Sequence, residues 1–392
     1  MQDKLKKRAI GPDLLKIAAT IFVIVIHHKY FGKDPVFVKQ FNSFFGFLFI
    51  ISLCLGVFFA VRMRTRGESV SKCLVWFLIP LGCFVALRRV RRFAVPIFML
   101  VTGYLLTSSV SKLDKPIKKW YTKDNLILRI IRFYLPFIPV FIVGLVYKII
   151  VKDYDYTALE VIARFILGGF KPGSYYITVL AEMVLIFPVI YLVVKRFKAI
   201  GVGAIVLLNL IYDALCTFLG MNDILYKFLV FRFIAHIALG VYGRLTDFKK
   251  DKAFNFIALV IGLGYVVICI YSGLHNPHMF FQWRDAAFPV AIFMYVPVMW
   301  FINVTKDMHY TDSKLSKATV TFANATYHIF LIQLLYYTTF GFEFNEWVYN
   351  VAITMPLNLI ICIPFGIWYY KLVSPIEKTI ADKVAVMLKK AK

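Results

Sequence analysis

The sequence is poor in charged residues and poorer still in acidic ones. Only 17% of its 392 residues are charged, and 21 Asp and Glu stand against 46 Lys and Arg. Hydrophobic residues make up 60% of the chain, and the mean hydropathy is +0.74. This composition lies far outside the range of soluble globular proteins. The sequence therefore predicts an integral membrane protein.

Cysteine motifs and metal-ligand spacings are also absent. The six cysteines are scattered through apolar runs, with no C-x-x-C and no Cys/His ligand pattern. We therefore interpret them as small buried apolar residues and expect no metal cofactor. The first apolar run is long, follows a basic segment and lacks a small-residue cleavage site, so we expect it to be retained as the first span.

Long apolar runs recur along the chain. A helix of about 20 apolar residues crosses a hydrocarbon core of about 30 Å. Windows of that length predict an all-α polytopic membrane helical bundle, with a further short helix at the outer interface over residues 158–170. The predicted spans are residues 14–31, 44–61, 73–87, 93–108, 126–150, 175–194, 200–219, 226–242, 254–271, 286–304, 321–340 and 347–370.

The formal charge of +25 is concentrated in the loops between the predicted spans. Lysine-rich loops are typical of the cytoplasmic side, so this distribution predicts a multi-pass protein of the plasma membrane with both termini in the cytoplasm. It explains the charge without a nucleic-acid partner. The run RRVRR at residues 88–92 does not fit, because the same orientation places it outside.

Two histidines end the first apolar run, IFVIVIHHKY. An ionisable group at membrane depth is costly and indicates a functional site. His27 follows Lys16 by eleven residues, close to three helical turns, so both lie on one face about 16 Å apart. His28 points about 100° away, and Asp13 can pair with Lys16. The alternative is that His27 hydrogen-bonds a neighbouring helix and His28 marks the interface.

Three motifs resemble those of membrane acyltransferase family 3. The stretch GPDLLKIAATIFVIVIHH is similar to the first span of that family, in which Arg or Lys is followed by ten residues and His. The stretch RFAVPIFMLVTGYLL resembles a second signature, with Thr102 in place of the usual Ser before Gly103 and Tyr104. The stretch LILRIIRFYLP resembles the Arg-x-x-Arg motif that leads into a proline.

The chain departs from the family pattern in two places. In YHIFLIQ, Gln333 stands where many members have His, so no catalytic role is carried onto it. The family core has about 10 spans, so residues 44–87 are predicted to be an inserted hairpin of spans within a single domain over residues 1–392.

The resemblance implies an enzyme that transfers an acyl group, usually acetyl, from acyl-CoA to a hydroxyl of a cell-envelope polysaccharide or a lipid-linked glycan. A neutral imidazole suits this chemistry, and His27 is predicted to be the base or the nucleophile. We expect Lys16 to orient the donor. Arg129 and Arg132 lie on one side of a helix and are predicted to bind the phosphates of acetyl-CoA. Their alternative role is positive-inside anchoring.

Acceptor contacts are predicted in YYITVLAEMVLIFP, at Tyr176 and Glu182. Other polar residues within spans, including Asp213, Arg232 and His236, are expected to be structural partners across helices. The rival hypothesis is a transporter or flippase for a glycan, which predicts discontinuous helices and a two-fold repeat. The acyltransferase hypothesis predicts a basic cytoplasmic pocket leading to His27.

Overall fold

A computed structural model describes most of the chain, and the described part is helical and contains no strand. The prediction of an all-α protein is confirmed. Outside the described part lie His28, the predicted span 73–87 and the side chains of residues 88–92. The described residues are 8–27, 35–65, 67, 90–111, 116–170, 173–267, 287–348 and 350–390.

The described residues contain fourteen α-helices and one 3-10 helix, Val230–Phe233. Six of these α-helices, α1, α3, α5, α7, α12 and α14, are long and apolar enough to cross a membrane. The helices are α1 Ile10–His27, α2 Pro35–Thr65, α3 Val90–Val110, α4 Pro116–Trp120, α5 Lys123–Ile150, α6 Ala158–Ile166, α7 Tyr175–Phe218, α8 Asp223–Phe228, α9 Ile234–Leu245, α10 Lys252–Val266, α11 Phe288–Val304, α12 Lys314–Thr338, α13 Gly341–Val348 and α14 Val351–Lys390.

Helix α7 combines two of the predicted spans. A straight helix of 44 residues would be about 66 Å long, about twice the thickness of the hydrocarbon core. The backbone leaves helical geometry at Lys198, with φ 48° and ψ −124°. This kink divides α7 into two arms. The arms correspond to the two separate spans predicted at residues 175–194 and 200–219.

The residues of the predicted span 226–242 do not form one continuous α-helix. Helix α8 ends at Phe228, Leu229 is extended with φ −82° and ψ 132°, and the 3-10 helix precedes α9. The carboxylate of Glu182 on α7 accepts a hydrogen bond of 2.6 Å from the backbone N–H of Val230. This side-chain contact satisfies an amide at the start of the 3-10 helix, where the chain has left the regular helical ladder.

Helix α3 lies at the centre of the bundle and packs against α1, α9 and α11. Its crossing with α9 depends on two glycines. A Cβ added to Gly103 would lie 2.4 Å from the carbonyl oxygen of Ile237, and one added to Gly240 would lie 2.1 Å from that of Leu100. Small residues at such crossings let helix backbones approach closely in membranes. The glycine of the second signature is therefore a packing residue.

The neighbouring Tyr104 is also structural. Its hydroxyl accepts a hydrogen bond of 3.0 Å from Nη1 of Arg244 on α9, and the guanidinium carbon lies 5.1 Å from the centre of its ring. Tyr104 thus reinforces the crossing that Gly103 permits.

Candidate active site

A cavity of about 920 Å³ lies where α1 ends and α7 begins. We call this end of the bundle the His27 end, and the opposite end, where α1 begins, the Lys16 end. Residues of α1, α3, α6, α7, α8, α12 and the 3-10 helix line the cavity. Aromatic side chains form much of its wall, including Phe98, Phe170, Tyr175, Tyr176, Tyr327 and Phe330.

His27 is the last residue of α1 and lines this cavity. Its Nδ1 atom hydrogen-bonds the side-chain nitrogen of Gln333 on α12. Gln333 is fully buried, and the same nitrogen donates to the carbonyl oxygen of Val23 at 3.2 Å. The ring of Tyr337 meets the imidazole edge-on, with centroids 6.4 Å apart. The imidazole is thus held in place from α12.

The other ring nitrogen of His27 faces Gly173. This residue has a φ of +97°, and a Cβ built on it would lie 2.7 Å from Nε2 of His27. Glycine is the residue type that adopts positive φ at little cost and leaves room for so close an approach. The segment before α7 therefore forms a wall of the cavity directly against the imidazole.

Tyr176 is the predicted acceptor residue that lines the same cavity as His27. It lies in the first turn of α7 and lines the cavity. Its ring meets Phe98 and Phe330 edge-on, with centroids 5.3 and 5.2 Å away. These contacts fix the ring as part of an aromatic wall.

Lys16 lies outside the cavity. Its Nζ atom donates to the carbonyl oxygen of Ala323 at 2.9 Å and pairs with the buried carboxylate of Asp13 at 3.3 Å. Asp13 also accepts a hydrogen bond of 3.1 Å from the hydroxyl of Tyr310. Thr20, which lines the cavity, donates to the carbonyl oxygen of Lys16 at 2.8 Å. The cavity therefore comes within one helical turn of Lys16.

The two predicted donor-binding arginines also lie on the Lys16 side of the cavity. The guanidinium carbon of Arg129 is 3.5 Å from the ring centre of the buried Trp120, and Arg132 is exposed. The cavity residue Tyr327 donates its hydroxyl proton to the carbonyl oxygen of Phe133 at 2.7 Å. Phe133 is one helical turn from Arg129, so the cavity floor lies close to both arginines without including them.

Glu182 does not line the cavity. It is half-buried, and its carboxylate binds the backbone N–H of Val230 as described above. Its observed contact is with the 3-10 helix, while its predicted contact with an acceptor stays a prediction.

The three motifs quoted above are parts of one longer match. The model of the Acyltransferase domain of acyltransferase family 3 matches residues 10–368, nearly the whole chain. The chain belongs to acyltransferase family 3. It is a membrane acyltransferase, and the resemblance inferred from the motifs is confirmed. No curated protein and no solved structure matches this acyltransferase.

Two residues of the acyltransferase that contact His27 were not assigned to the site from the sequence. Gln333 was noted there only as a departure from the family resemblance, with no role assigned to it. Gly173 belongs to the run GGFKPGS, in which Gly168, Gly169 and Gly173 all have positive φ. A glycine-rich run next to a predicted span was the only sign of the second contact.

One of the polar residues expected to be structural partners, Asp213 on α7, accepts a hydrogen bond of 2.9 Å from the hydroxyl of Tyr226 on α8. Arg232 is buried and also lines the cavity. Among the side chains that the structure describes, no group of three or more His, Cys, Asp or Glu is placed to hold a metal ion.

Proposed function

We propose that this acyltransferase transfers an acyl group, in the first instance acetyl, from acyl-CoA to a hydroxyl of a cell-envelope or lipid-linked saccharide. The observation that carries the proposal is the position of His27, held by Gln333 in the wall of a large aromatic cavity. A volume of about 920 Å³ is typical of small-ligand sites. Aromatic rings together with a few polar groups suit a saccharide that bears the reacting hydroxyl.

The proposed reaction assigns one task to His27. The acceptor hydroxyl attacks the thioester carbonyl carbon, a tetrahedral intermediate forms, and the carbon–sulfur bond breaks to release the thiolate of coenzyme A. Nε2 of His27 takes the hydroxyl proton during attack and returns it to the leaving sulfur. Protons balance, and no metal takes part.

This role requires a particular tautomer of His27. Nε2 can accept a proton only if the proton of the neutral imidazole is on Nδ1. The amide of Gln333 then presents its oxygen, rather than its nitrogen, to Nδ1. When the amide is reversed in this way, the carbonyl oxygen of Val23 loses the hydrogen bond from the Gln333 side chain. It keeps the backbone hydrogen bond that residue 27 donates to it within helix α1.

The donor is proposed to approach from the Lys16 end. Lys16, Arg129 and Arg132 carry positive charge there, about one helical turn below the cavity floor at Thr20 and Tyr327. Guanidinium and ammonium groups bind phosphates, so the nucleotide part of acyl-CoA is placed at this end and its acyl group enters the cavity from below. In this proposal the Lys16 end faces the cytoplasm of a cell with the protein in its plasma membrane.

The decisive experiment compares membranes that contain wild-type protein with membranes that contain the His27→Ala variant at matched levels. Each is supplied with acetyl-labelled coenzyme A and envelope glycans. We expect label in an alkali-labile ester on glycan for the wild type and loss of that label for His27→Ala. His309→Ala is the matched control, because His309 is exposed and lies outside the cavity. Equal labelling by wild type and His27→Ala would reject the role of His27.

A transporter is the second candidate, and one observation favours it. The helix is interrupted between α8 and α9, and Arg232 of the intervening 3-10 helix lines the cavity. A transporter predicts that a labelled glycan crosses sealed vesicles unmodified and without acyl-CoA. Transport of that kind, with no ester formed, would replace the proposed reaction.

A further inference from the structure

A small apolar pocket adjoins the cavity that contains His27. It has a volume of about 20 Å³ and lies between α5, α12 and the segment that joins α6 to α7. Gly169, Phe170 and Ser174 line both the cavity and this pocket, so the two spaces meet there. We call it the side pocket, and its wall includes Phe137, Phe141, Gly144, Phe170, Leu334 and Thr338.

The side pocket lies at the same height of α12 as His27. Gln333 and Tyr337 on this helix contact the imidazole. Leu334 and Thr338, each one position later, line the side pocket. Successive residues of a helix point about 100° apart. The imidazole and the side pocket therefore lie next to each other around one side of α12.

The side pocket is close enough to His27 to receive the acyl group of a reacting thioester. Gly173 lies against Nε2 of His27, and the next residue, Ser174, lines the side pocket. Their Cα atoms are about 3.8 Å apart. In the proposed reaction, a hydroxyl about 3 Å from Nε2 attacks a carbonyl carbon about 3–3.5 Å further away. The acyl methyl is one bond beyond that carbon, which brings it to the side pocket.

The size and polarity of the side pocket suit a methyl group. A volume of about 20 Å³ holds one small group. The hydroxyl of Thr338 donates to the carbonyl oxygen of Leu334 at 2.7 Å, and that of Ser174 donates to Leu167 at 3.5 Å. The other described residues of the wall are aromatic, aliphatic or glycine. Because a buried water needs about two to four polar partners, an apolar group is the favoured occupant.

Gly144 and Thr338 bound the space that a longer acyl chain would need. A Cβ added to Gly144 would lie 3.4 Å from Cγ2 of Thr338 and 3.6 Å from the ring of Phe170. These are ordinary van der Waals distances, so a single methyl fills the gap between the three residues. The ring of Phe170 stacks on that of Phe141, with centroids 5.2 Å apart, and is held in place.

We propose that the side pocket is the acyl subsite of this acyltransferase and limits the donor to a two-carbon acyl group. Gly144 leaves room for the methyl of acetyl, and Cγ2 of Thr338 excludes the further methylene of propionyl. The thioester carbonyl carbon then lies in the cavity beside Nε2 of His27. This inference rests on the proposed function and specifies which residues select the acyl group.

The test measures equilibrium binding of coenzyme A, acetyl-CoA and propionyl-CoA to the purified full-length protein in detergent. No saccharide is present, so no acyl transfer to an acceptor interferes, and the thioester is verified to be intact after each titration. We expect acetyl-CoA to bind about tenfold more tightly than propionyl-CoA, because forcing an extra methylene into a filled apolar pocket is unfavourable. Coenzyme A is the probe without an acyl group.

Two variants exchange a methyl across the side pocket. Gly144→Ala places a Cβ in it and is expected to weaken acetyl-CoA about tenfold and to leave coenzyme A unchanged. Thr338→Ser removes Cγ2 but keeps the hydroxyl that binds Leu334. We expect it to strengthen propionyl-CoA about tenfold. The double variant should regain acetyl-CoA binding, since one methyl replaces the other. A merely structural role of either residue would not produce this reciprocal rescue.

Thr339→Ser is the matched control for the threonine variant. Thr339 follows Thr338, donates its hydroxyl proton to the carbonyl oxygen of Leu335 at 2.9 Å, and lies outside both the cavity and the side pocket. We expect its ratio of acetyl-CoA to propionyl-CoA affinity to equal that of the wild type.

Each outcome decides the proposal. The expected preference together with the reciprocal rescue supports it. Equal binding of the two esters by the wild type would overturn it, as would binding of neither ester, or acetyl-CoA binding that Gly144→Ala leaves unchanged. Failure of the proposed function has a different signature, because an acyl-CoA would then bind with the expected preference while no label reaches glycan.

Discussion

The side-chain amide of Gln333 on α12 hydrogen-bonds Nδ1 of His27 at the end of α1, and the two residues are 306 positions apart in the chain. The amide nitrogen also donates to the carbonyl oxygen of Val23 at 3.2 Å. With Nδ1 accepting, the proton of the neutral imidazole lies on Nε2, on the side of Gly173. The orientation of one amide therefore decides whether the ring offers the cavity a donor or a base.

Substitutions at Gln333 are predicted to separate these roles. In Gln333→Glu, a carboxylate of nearly the same size accepts a proton from Nδ1 and leaves the lone pair of Nε2 for the acceptor hydroxyl. We expect kcat to be retained and the pH of half-maximal activity to rise, because the carboxylate favours the protonated ring. In Gln333→Leu, kcat should fall by about tenfold or more, since an unoriented base is less effective.

The measurement is the pH dependence of label transfer, with the melting temperature as a check on folding. An inactive, folded Gln333→Glu protein would show that Nε2 acts as a donor. Full activity of Gln333→Leu would remove Gln333 from the mechanism.

Gly173→Ala is predicted to damage the site. An L-residue at a φ of +97° is strained, and its Cβ would lie 2.7 Å from Nε2 of His27. The left-handed region costs a residue with a Cβ about 1–2 kcal/mol. We expect acyl transfer to fall by about tenfold or more, because the imidazole must move away from its observed position.

Gly203→Ala is the matched control. Gly203 lies in α7, and an added Cβ would have no atom within 4 Å. Replacing a helical glycine by alanine is expected to stabilise the protein by up to about 1 kcal/mol and to leave activity unchanged. Normal activity of Gly173→Ala would show that His27 does not need this position.

The two arginines of α5 are predicted to respond differently. Arg129 packs on Trp120, so Arg129→Gln should lower stability by about 1 kcal/mol and also raise KM for acyl-CoA. Arg132 is exposed, so Arg132→Gln should raise that KM with no change in melting temperature. Initial rates at varied acyl-CoA concentration, together with thermal melts, test both statements. An unchanged KM in Arg132→Gln would favour simple membrane anchoring.

Glu182 is predicted to affect stability more than acceptor binding. Glu182→Gln keeps an oxygen that can accept from Val230, whereas Glu182→Ala leaves that N–H without its 2.6 Å partner. Loss of the contact is expected to cost about 1–3 kcal/mol. Thermal melts of both variants, with KM for the saccharide acceptor, are the measurement. An altered acceptor KM in a stable Glu182→Gln protein would restore its predicted role in acceptor binding.

The interruption of the helix before Val230 could not be predicted from the sequence. The apolar run over residues 226–242 is long enough to cross a membrane, and no proline or glycine marks its interior before Gly240. The helix nevertheless ends at Phe228. Hydropathy is averaged over a window of one segment. It therefore carries no information about the carboxylate of Glu182, which lies on another helix and accepts a hydrogen bond from Val230.

Local properties of the chain determined much of this protein by themselves. Apolar length predicted helices, the spacing of Lys16 and His27 predicted a shared face, and the first turn of the YYITV segment was assigned to the site through Tyr176. Only the tertiary structure decided that Gln333 hydrogen-bonds His27, that Gly173 abuts its ring and that Arg164, Lys227 and Arg232 line the same cavity. Helical periodicity acts within one segment, whereas these contacts join helices far apart in sequence, so packing alone brings them together.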